Sequence, residues 1–337
     1  MKWIVISILL SNMLMAQSAK MLDSYSIPSD ALVNGKPFGG ISGIDFDPKE
    51  KVYYLISDDR SSFDNARFYK ADIVIKNKKI DTIINRSVVY LKNEYGGYFK
   101  KETIDPETIR LTKEGLLIIG NEGGNESIAD IGIYDKNGVK KKKLTDSTIS
   151  FQTRRNKSFE PISLYPKRNH FVFATESSLK TDGEESGFDS ESTIRIIAQN
   201  YKSDKILWQA SYPLGKIKQE YHNQYRQADI GLTEILMIDR MNFVALERSG
   251  IKIGENQFFF DCRLFWVKLE KNKDKQNPFK YKTIKKEIFR FAEHPDGIQN
   301  FEGLSFGPEI NGHKTLLVVS DNNFSADYHT VFFLLEI

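Results

Sequence analysis

Glu107-Thr-Ile-Arg-Leu111 leads into Gly115-Leu-Leu-Ile-Ile-Gly-Asn-Glu122, and this layout occurs twice more. Glu160-Pro-Ile-Ser-Leu164 precedes His170-Phe-Val-Phe-Ala-Thr-Glu176, and Glu302-Gly-Leu-Ser-Phe306 precedes Lys314-Thr-Leu-Leu-Val-Val-Ser-Asp321. Each unit reads as an acid, a short apolar strand, a polar turn, a second apolar strand and another acid. Two weaker copies complete the series. Gly43-Ile-Asp-Phe-Asp47 leads to Val52-Tyr-Tyr-Leu-Ile-Ser-Asp58, and Leu232-Thr-Glu-Ile-Leu236 leads to Asn242-Phe-Val-Ala-Leu-Glu247. Aligned at Gly43, Glu107, Glu160, Leu232 and Glu302, the units recur every 53 to 72 residues.

Repetition at this period marks an array of supersecondary units, and units of three or four antiparallel strands arranged radially make a β-propeller. Later strands complete the units: Arg67 to Ile73, Ile131 to Tyr134, Thr193 to Ala198, Leu264 to Leu269 and Thr330 to Glu336. The last unit shows three strands. Met21-Leu-Asp-Ser-Tyr-Ser-Ile27 is placed to supply its fourth and close the ring. The expectation is an all-β propeller of five to six blades, five read directly and a sixth allowed by chain length. A β-sandwich is the architectural alternative, but it gives no reason for the recurring acids.

The chain of 337 residues is 40% hydrophobic and 12% aromatic, enough for a sizeable core, and its net charge of +3 is weak. Its lysine runs, Lys76 to Lys79, Lys140 to Lys143, Lys271 to Lys275 and Lys285-Lys286, read as solvated hairpin turns. No basic face interleaved with aromatics marks a nucleic-acid surface. Met1-Lys-Trp followed by Ile4 to Leu10 and small residues fits a secretory signal peptide over 1–19, cut near Ala16 or Ala19. The mature domain is then 20–337, periplasmic or extracellular and without a membrane span. Cys262, the single cysteine, reads as a core residue and excludes an internal disulfide.

Five segments, in order, resemble a known family. They are Gly39-Gly-Ile-Ser-Gly-Ile-Asp-Phe-Asp-Pro48 with Tyr54-Leu-Ile-Ser-Asp-Asp-Arg60; Asp105-Pro-Glu107; Phe159-Glu-Pro-Ile-Ser163 with Ala174-Thr-Glu176; Val244-Ala-Leu-Glu-Arg-Ser249; and Asn300-Phe-Glu-Gly-Leu304 with Val319-Ser-Asp-Asn-Asn-Phe-Ser325. From about Gly39 to the C-terminus the chain is similar to the phytase-like domain of secreted bacterial proteins, described as "esterase-like activity of phytase". The resemblance implies a phosphoester or ester hydrolase whose chemistry rests on acidic residues, acting on a small phosphate or carboxylic ester. Two features depart from the family: Phe159 before its Glu, and the acidic stretch Asp182 to Glu191, which reads as a solvated loop.

Acids at the ends of innermost strands converge at one mouth of a propeller. Clustered carboxylates need a cation or bound protons, and several oxygens together suit Ca²⁺. The candidate metal ligands are Glu107, Glu160, Glu302, Asp58, Asp321 and Glu176. Glu302, Glu107 and Glu160 are the candidate catalytic residues, and Arg60, Arg248 and Arg67 the candidate phosphate contacts. Asp59, Glu122 and Glu247 also end second strands and are expected near the same face. Five scattered histidines without zinc spacing, and no G-x-S-x-G, argue against zinc or a serine triad. A monomeric hydrolase of phosphate esters is the first expectation. A calcium-stabilised propeller that binds a ligand or protein without catalysis, and a lactonase or sugar-ester hydrolase, are the alternatives.

Overall fold

The computed structural model describes residues 18–337, except 126, 166, 167, 223, 226 and 256; the proposed signal segment lies outside the described residues apart from Ser18 and Ala19. Among the described residues the chain forms five four-stranded antiparallel blades. Blade 1 is Ile41–Asp47, Val52–Ser57, Arg67–Lys76 and Lys79–Tyr90; blade 2 is Pro106–Leu111, Leu117–Asn121, Asp130–Tyr134 and Lys140–Lys143. Blade 3 is Ile162–Leu164, His170–Phe173, Ser192–Asn200 and Ile206–Leu214; blade 4 is Ala228–Met237, Asn242–Lys252, Phe258–Lys271 and Tyr281–Arg290. Blade 5 is Asn300–Phe306, Thr315–Asp321 and Thr330–Glu336, and the N-terminal strand Lys20–Ile27 pairs with its last strand. That pairing joins the two ends of the chain and closes the ring, as the sequence led one to expect. The sixth blade left open by chain length is not needed, because blades 1 and 4 carry long outer strands.

The first strands of the blades touch in the cyclic order 1-2-3-4-5-1 and surround the axis. Blades 3 and 4 also join at their outer edges, where Ala210 and Ser211 pair in parallel with Tyr281 and Lys282. Five hydrophobic clusters fill the five junctions between blades. Successive residues of a strand face opposite sides, so a blade buried on both faces needs an unbroken apolar run. In blade 5, Leu316 and Val318 pack toward blade 4, while Leu317 and Val319 pack toward blade 1. Their burial explains why the second strands lack polar alternation.

Two local expectations are corrected. Lys140–Lys143 is no turn but the outer edge strand of blade 2, where Lys140, Lys141 and Lys142 pair with Asp130, Asp135 and Asp204. Lysines on an outer strand blunt its open edge. Lys285 and Lys286 likewise lie within the outer strand of blade 4.

Beneath the acidic mouth the axis is blocked. Arg110 of blade 2 donates through Nε to Ile162 O of blade 3 and through Nη1 to Ile44 O of blade 1, at 2.6 and 2.5 Å. Its Nη2 lies 2.5 Å from Glu234 Oε2 of blade 4. Glu234 also accepts from Thr108 Oγ1 and Ile162 N. One buried arginine thus braces four blades and floors the site above it.

Candidate functional site

A shared irregularity of the inner strands builds the site. Register against the second strand shifts between Ile41 and Gly43, Pro106 and Thr108, Leu232 and Glu234, and Phe301 and Gly303. The skipped residues are Ser42, Glu107, Thr233 and Glu302; in blade 3 the same place falls to Glu160, just before Pro161, whose carbonyl accepts from Ala174 N. A bulge re-aims a side chain that a regular strand would direct into a blade interface. The alignment is therefore one residue late at Gly43 and one residue early at Leu232, because an apolar alternation pattern does not register a bulge. Thr233 and Ser42 are the true counterparts of the three glutamates.

The second strands add another ring. Asp58 N, Glu122 N and Glu176 N donate to Gly40 O, Asp105 O and Ser158 O, each two residues before the bulge. In blade 5 Asp321 pairs with Asn300, and in blade 4 Arg248 pairs with Gly231. The equivalent positions are thus Asp58, Glu122, Glu176, Arg248 and Asp321. Arginine replaces the acid in blade 4. Glu247, one residue earlier, faces the junction of blades 3 and 4, where Tyr212 and Lys285 donate to it. Its expected place at the mouth is corrected by this register.

Two of the three bulge glutamates, Glu107 and Glu160, stand in tight carboxylate groups. Ligand oxygens of Asp105, Glu107 and Glu122 lie within 4.8 Å of one another, as do those of Glu122, Glu160 and Glu176. These residues come from blades 2 and 3. On the other side of the basin lie Glu302, Asp321 and Asp58, with Arg248 between the halves. Arg248 contacts Glu302 through Nη1 and Glu176 through Nη2, and it donates to Asn300 Oδ1. Asn300 Nδ2 bonds Glu302 and Asp321. Of the six metal candidates read from sequence, Glu107, Glu160 and Glu176 fall in the tight groups, and Asp58, Asp321 and Glu302 line the opposite wall. Glu122 and Asp105, outside that ligand set, complete the groups; the strand-end acid and the Asp-Pro-Glu motif were the available signals.

The arginines differ in place. Arg60 is partly exposed at the rim, with Nη2 2.5 Å from Asp105 Oδ2 and 2.6 Å from Asn156 Oδ1. Arg67 is 1% exposed and spends its donors on Asp59, Tyr69 and Pro37 O. Asp59 in turn accepts from the backbone of Ser62, Phe63 and Asp64, so this pair anchors a loop of blade 1. The acidic stretch 182–191 is tied down as well, by Asp182 on Arg195 and Glu185 on Lys157.

Burial, then mutual repulsion, dominates the electrostatics. Desolvation pushes Glu107, Glu122, Glu160 and Asp58 well above the ordinary carboxylate range, reinforced by their acidic neighbours. Burial raises Glu302 to about 8 and Asp105 and Asp321 to about 6, against the lowering effect of nearby arginines and amides. Glu176 is raised too, with Arg248 opposing. Such a basin holds protons or cations. The donor set fits a hard cation: all oxygen, anionic, and incompletely satisfied by the protein. Asp105 Oδ1 is buried without a donor, and no hydrogen-bond donor among the described residues reaches the Glu160 carboxylate, 7% exposed. A separate cleft of about 580 Å³ opens at the other end of the axis, lined by Asp47, Lys113, Lys136, Tyr165 and Arg168.

A five-bladed propeller with a carboxylate basin at one mouth of its axis is the class these observations define. Residues 36–324 match the phytase-like family described as "esterase-like activity of phytase", and the chain belongs to that family. No curated protein sequence matches the chain. Solved structures share the general arrangement at low similarity. One is from a study of the GH130 family of mannoside phosphorylases, at 12% identity and TM-score 0.45, covering 89% of this chain and 84% of that one. Another is the Bombyx mori GH32 β-fructofuranosidase, at 8% identity and TM-score 0.42, covering 92% and 63%. The N-terminal domain of Nup159 aligns at 7% identity and TM-score 0.37, covering 94% and 95%. At these scores none bears on the chemistry.

Proposed function

We propose that this chain is a divalent-cation-dependent hydrolase of phosphate esters, with Ca²⁺ as the favoured ion. The convergence of Glu107, Glu122, Glu160 and Glu176 with Asp105, whose Oδ1 is buried without a donor, carries the reading. Those residues and Asp105 would hold the cation, which when bound supplies charge to polarise a phosphate and its attacking water. Arg60, 37% exposed at the rim and paired with Asp105, would contact a phosphate oxygen bound beside that group, whereas Arg248 keeps Glu302 and Glu176 in place. Glu302, raised to about 8, is suited to hold or deliver a proton near neutral pH. Buried Arg67 supports blade 1 and has no part in this reading.

The segment 1–19 serves secretion in this proposal. Cleavage after Ala16 would preserve the bond from Ala19 N to Ile288 O, and cleavage at either alanine spares the closing strand Lys20–Ile27. No described helix is long and apolar enough to cross a membrane.

Metal-free protein is assayed with 4-nitrophenyl phosphate, a carboxylic ester and a lactone, with and without Ca²⁺. Cation-dependent phosphate turnover, lowered at least 100-fold in Glu302→Gln, is expected. Thermal stabilisation by Ca²⁺ without turnover on any substrate would instead identify a non-catalytic binding propeller; selective lactone turnover would identify a lactonase.

A further inference from the structure

The two tight carboxylate groups share one member. Glu122 belongs both with Asp105 and Glu107 and with Glu160 and Glu176. It ends the second strand of blade 2, between the bulge glutamates of blades 2 and 3. One of its oxygens accepts from Ser158 N, which fixes the side chain between the two groups. We propose that the basin binds two divalent cations side by side, bridged by the Glu122 carboxylate, a reading that rests on the cation-dependent function above.

Each group contains an acceptor that no protein donor among the described residues reaches, and Asp58 Oδ1 on the opposite wall is likewise buried without a donor. Asp105 Oδ1 is buried and without a donor in the first, and the Glu160 carboxylate has no donor among the described residues in the second. A single ion bound at either group would leave most carboxylates of the other group without a cation beside them. Each group also has one arginine-paired member at its outer end, Asp105 with Arg60 and Glu176 with Arg248. The arrangement is thus approximately symmetric about Glu122.

Charge balance points the same way. Among the described residues, Asp58, Asp105, Glu107, Glu122, Glu160, Glu176, Glu302 and Asp321 are offset by two directly paired arginines, Arg60 and Arg248, and by Lys157 near Glu176. One divalent ion leaves most of the excess negative charge in place, whereas two reduce it to a remainder that protons or a substrate cation can answer. Paired ions about 3.5–4 Å apart clamp both the attacking and the leaving oxygens of an in-line displacement. The substrate class favoured by such a pair is a phosphate mono- or diester able to bridge both ions.

The full-length mature chain is freed of metal and titrated with Mn²⁺ and, separately, Ca²⁺ by equilibrium dialysis. Two ions per chain are expected, and the Mn²⁺ form should give the electron paramagnetic resonance signal of an exchange-coupled pair. Glu107→Gln and Glu160→Gln should each bind one ion, while Glu122→Gln should weaken both sites at least tenfold. A single ion in the unaltered chain, two uncoupled ions, or Glu122→Gln behaving like Glu107→Gln overturns the bridge. One bound ion with phosphate turnover would sink the pair and leave the proposed function standing; no ion bound would sink both. The spectrum of the unaltered protein decides the question even if Glu122→Gln fails to fold.

Discussion

Arg110 and Glu234 form an ion pair, Nη2 to Oε2 at 2.5 Å, with side chains 2% and 1% exposed beneath the acidic basin. Neither lies in the carboxylate groups above. Removing one partner of a buried pair leaves the other charge uncompensated. Arg110→Met should therefore destabilise the protein by about 3–5 kcal/mol in chemical denaturation. Because Arg110 also caps carbonyls of blades 1 and 3, Glu234→Gln should cost less. Equal and small effects from both would contradict the bracing role.

Arg248 has the opposite relation to its surroundings: it occupies the ring position that blades 1, 2, 3 and 5 give to acids. Its replacement by glutamine removes the contacts to Glu176 and Glu302. The metal-free variant should lose about 3 kcal/mol, by the same reasoning on buried charge. Added Ca²⁺ should restore more stability in the variant than in the unaltered chain. A thermal-shift series against Ca²⁺ concentration checks this; equal gains in both proteins would refute it.

Stability without metal should fall as pH rises. Asp105 and Asp321 bind protons up to about pH 6 and Glu302 up to about 8 when folded, above their ordinary values when unfolded. Between those limits the native state holds more protons than the unfolded chain, so raising pH favours unfolding. The melting temperature of the metal-free protein should drop steadily from about pH 4 to pH 8. Saturating Ca²⁺ should flatten the profile, since the cation replaces those protons. A profile rising with pH in the metal-free protein would be inconsistent with the buried basin.

Gly231 makes room for Glu176. A Cβ there would lie 2.1 Å from Glu176 Oε1 and 2.3 Å from its Cγ. Gly231→Ala should displace Glu176 and break its contact with Arg248, while sparing Asp105 and Glu107. Isothermal titration with Ca²⁺ should show affinity lowered about tenfold, a difference of about 1.4 kcal/mol. Unchanged affinity would remove Glu176 from the cation set.

Much of this was legible in order along the chain. The Glu-strand-turn-strand-acid layout announced the blades, and Met21 to Ile27 announced the closing strand. Apolar runs such as Leu316 to Val319 carry that information because a blade is buried on both faces. Glu107, Glu160 and Glu302 could be chosen because they recur at one place in the repeat. The weaker copies misled by one residue, placing Gly43 for Ser42, Leu232 for Thr233 and Glu247 for Arg248 at the mouth. A bulge adds a residue without changing hydrophobicity, so periodicity cannot reveal it.

The sequence by itself determined the repeating architecture, its closure and the residue types gathered at the mouth, because these follow from local alternation and from recurrence. Only the tertiary structure decided which acids share a basin, that Glu122 stands between two groups, and that Arg67 braces a loop while Arg248 crosses the mouth. Relations such as those of Arg248 with Glu176 and Glu302, 72 and 54 positions away, pass through strand register and ring closure, and side-chain direction is set there by packing among blades rather than by neighbours in the chain.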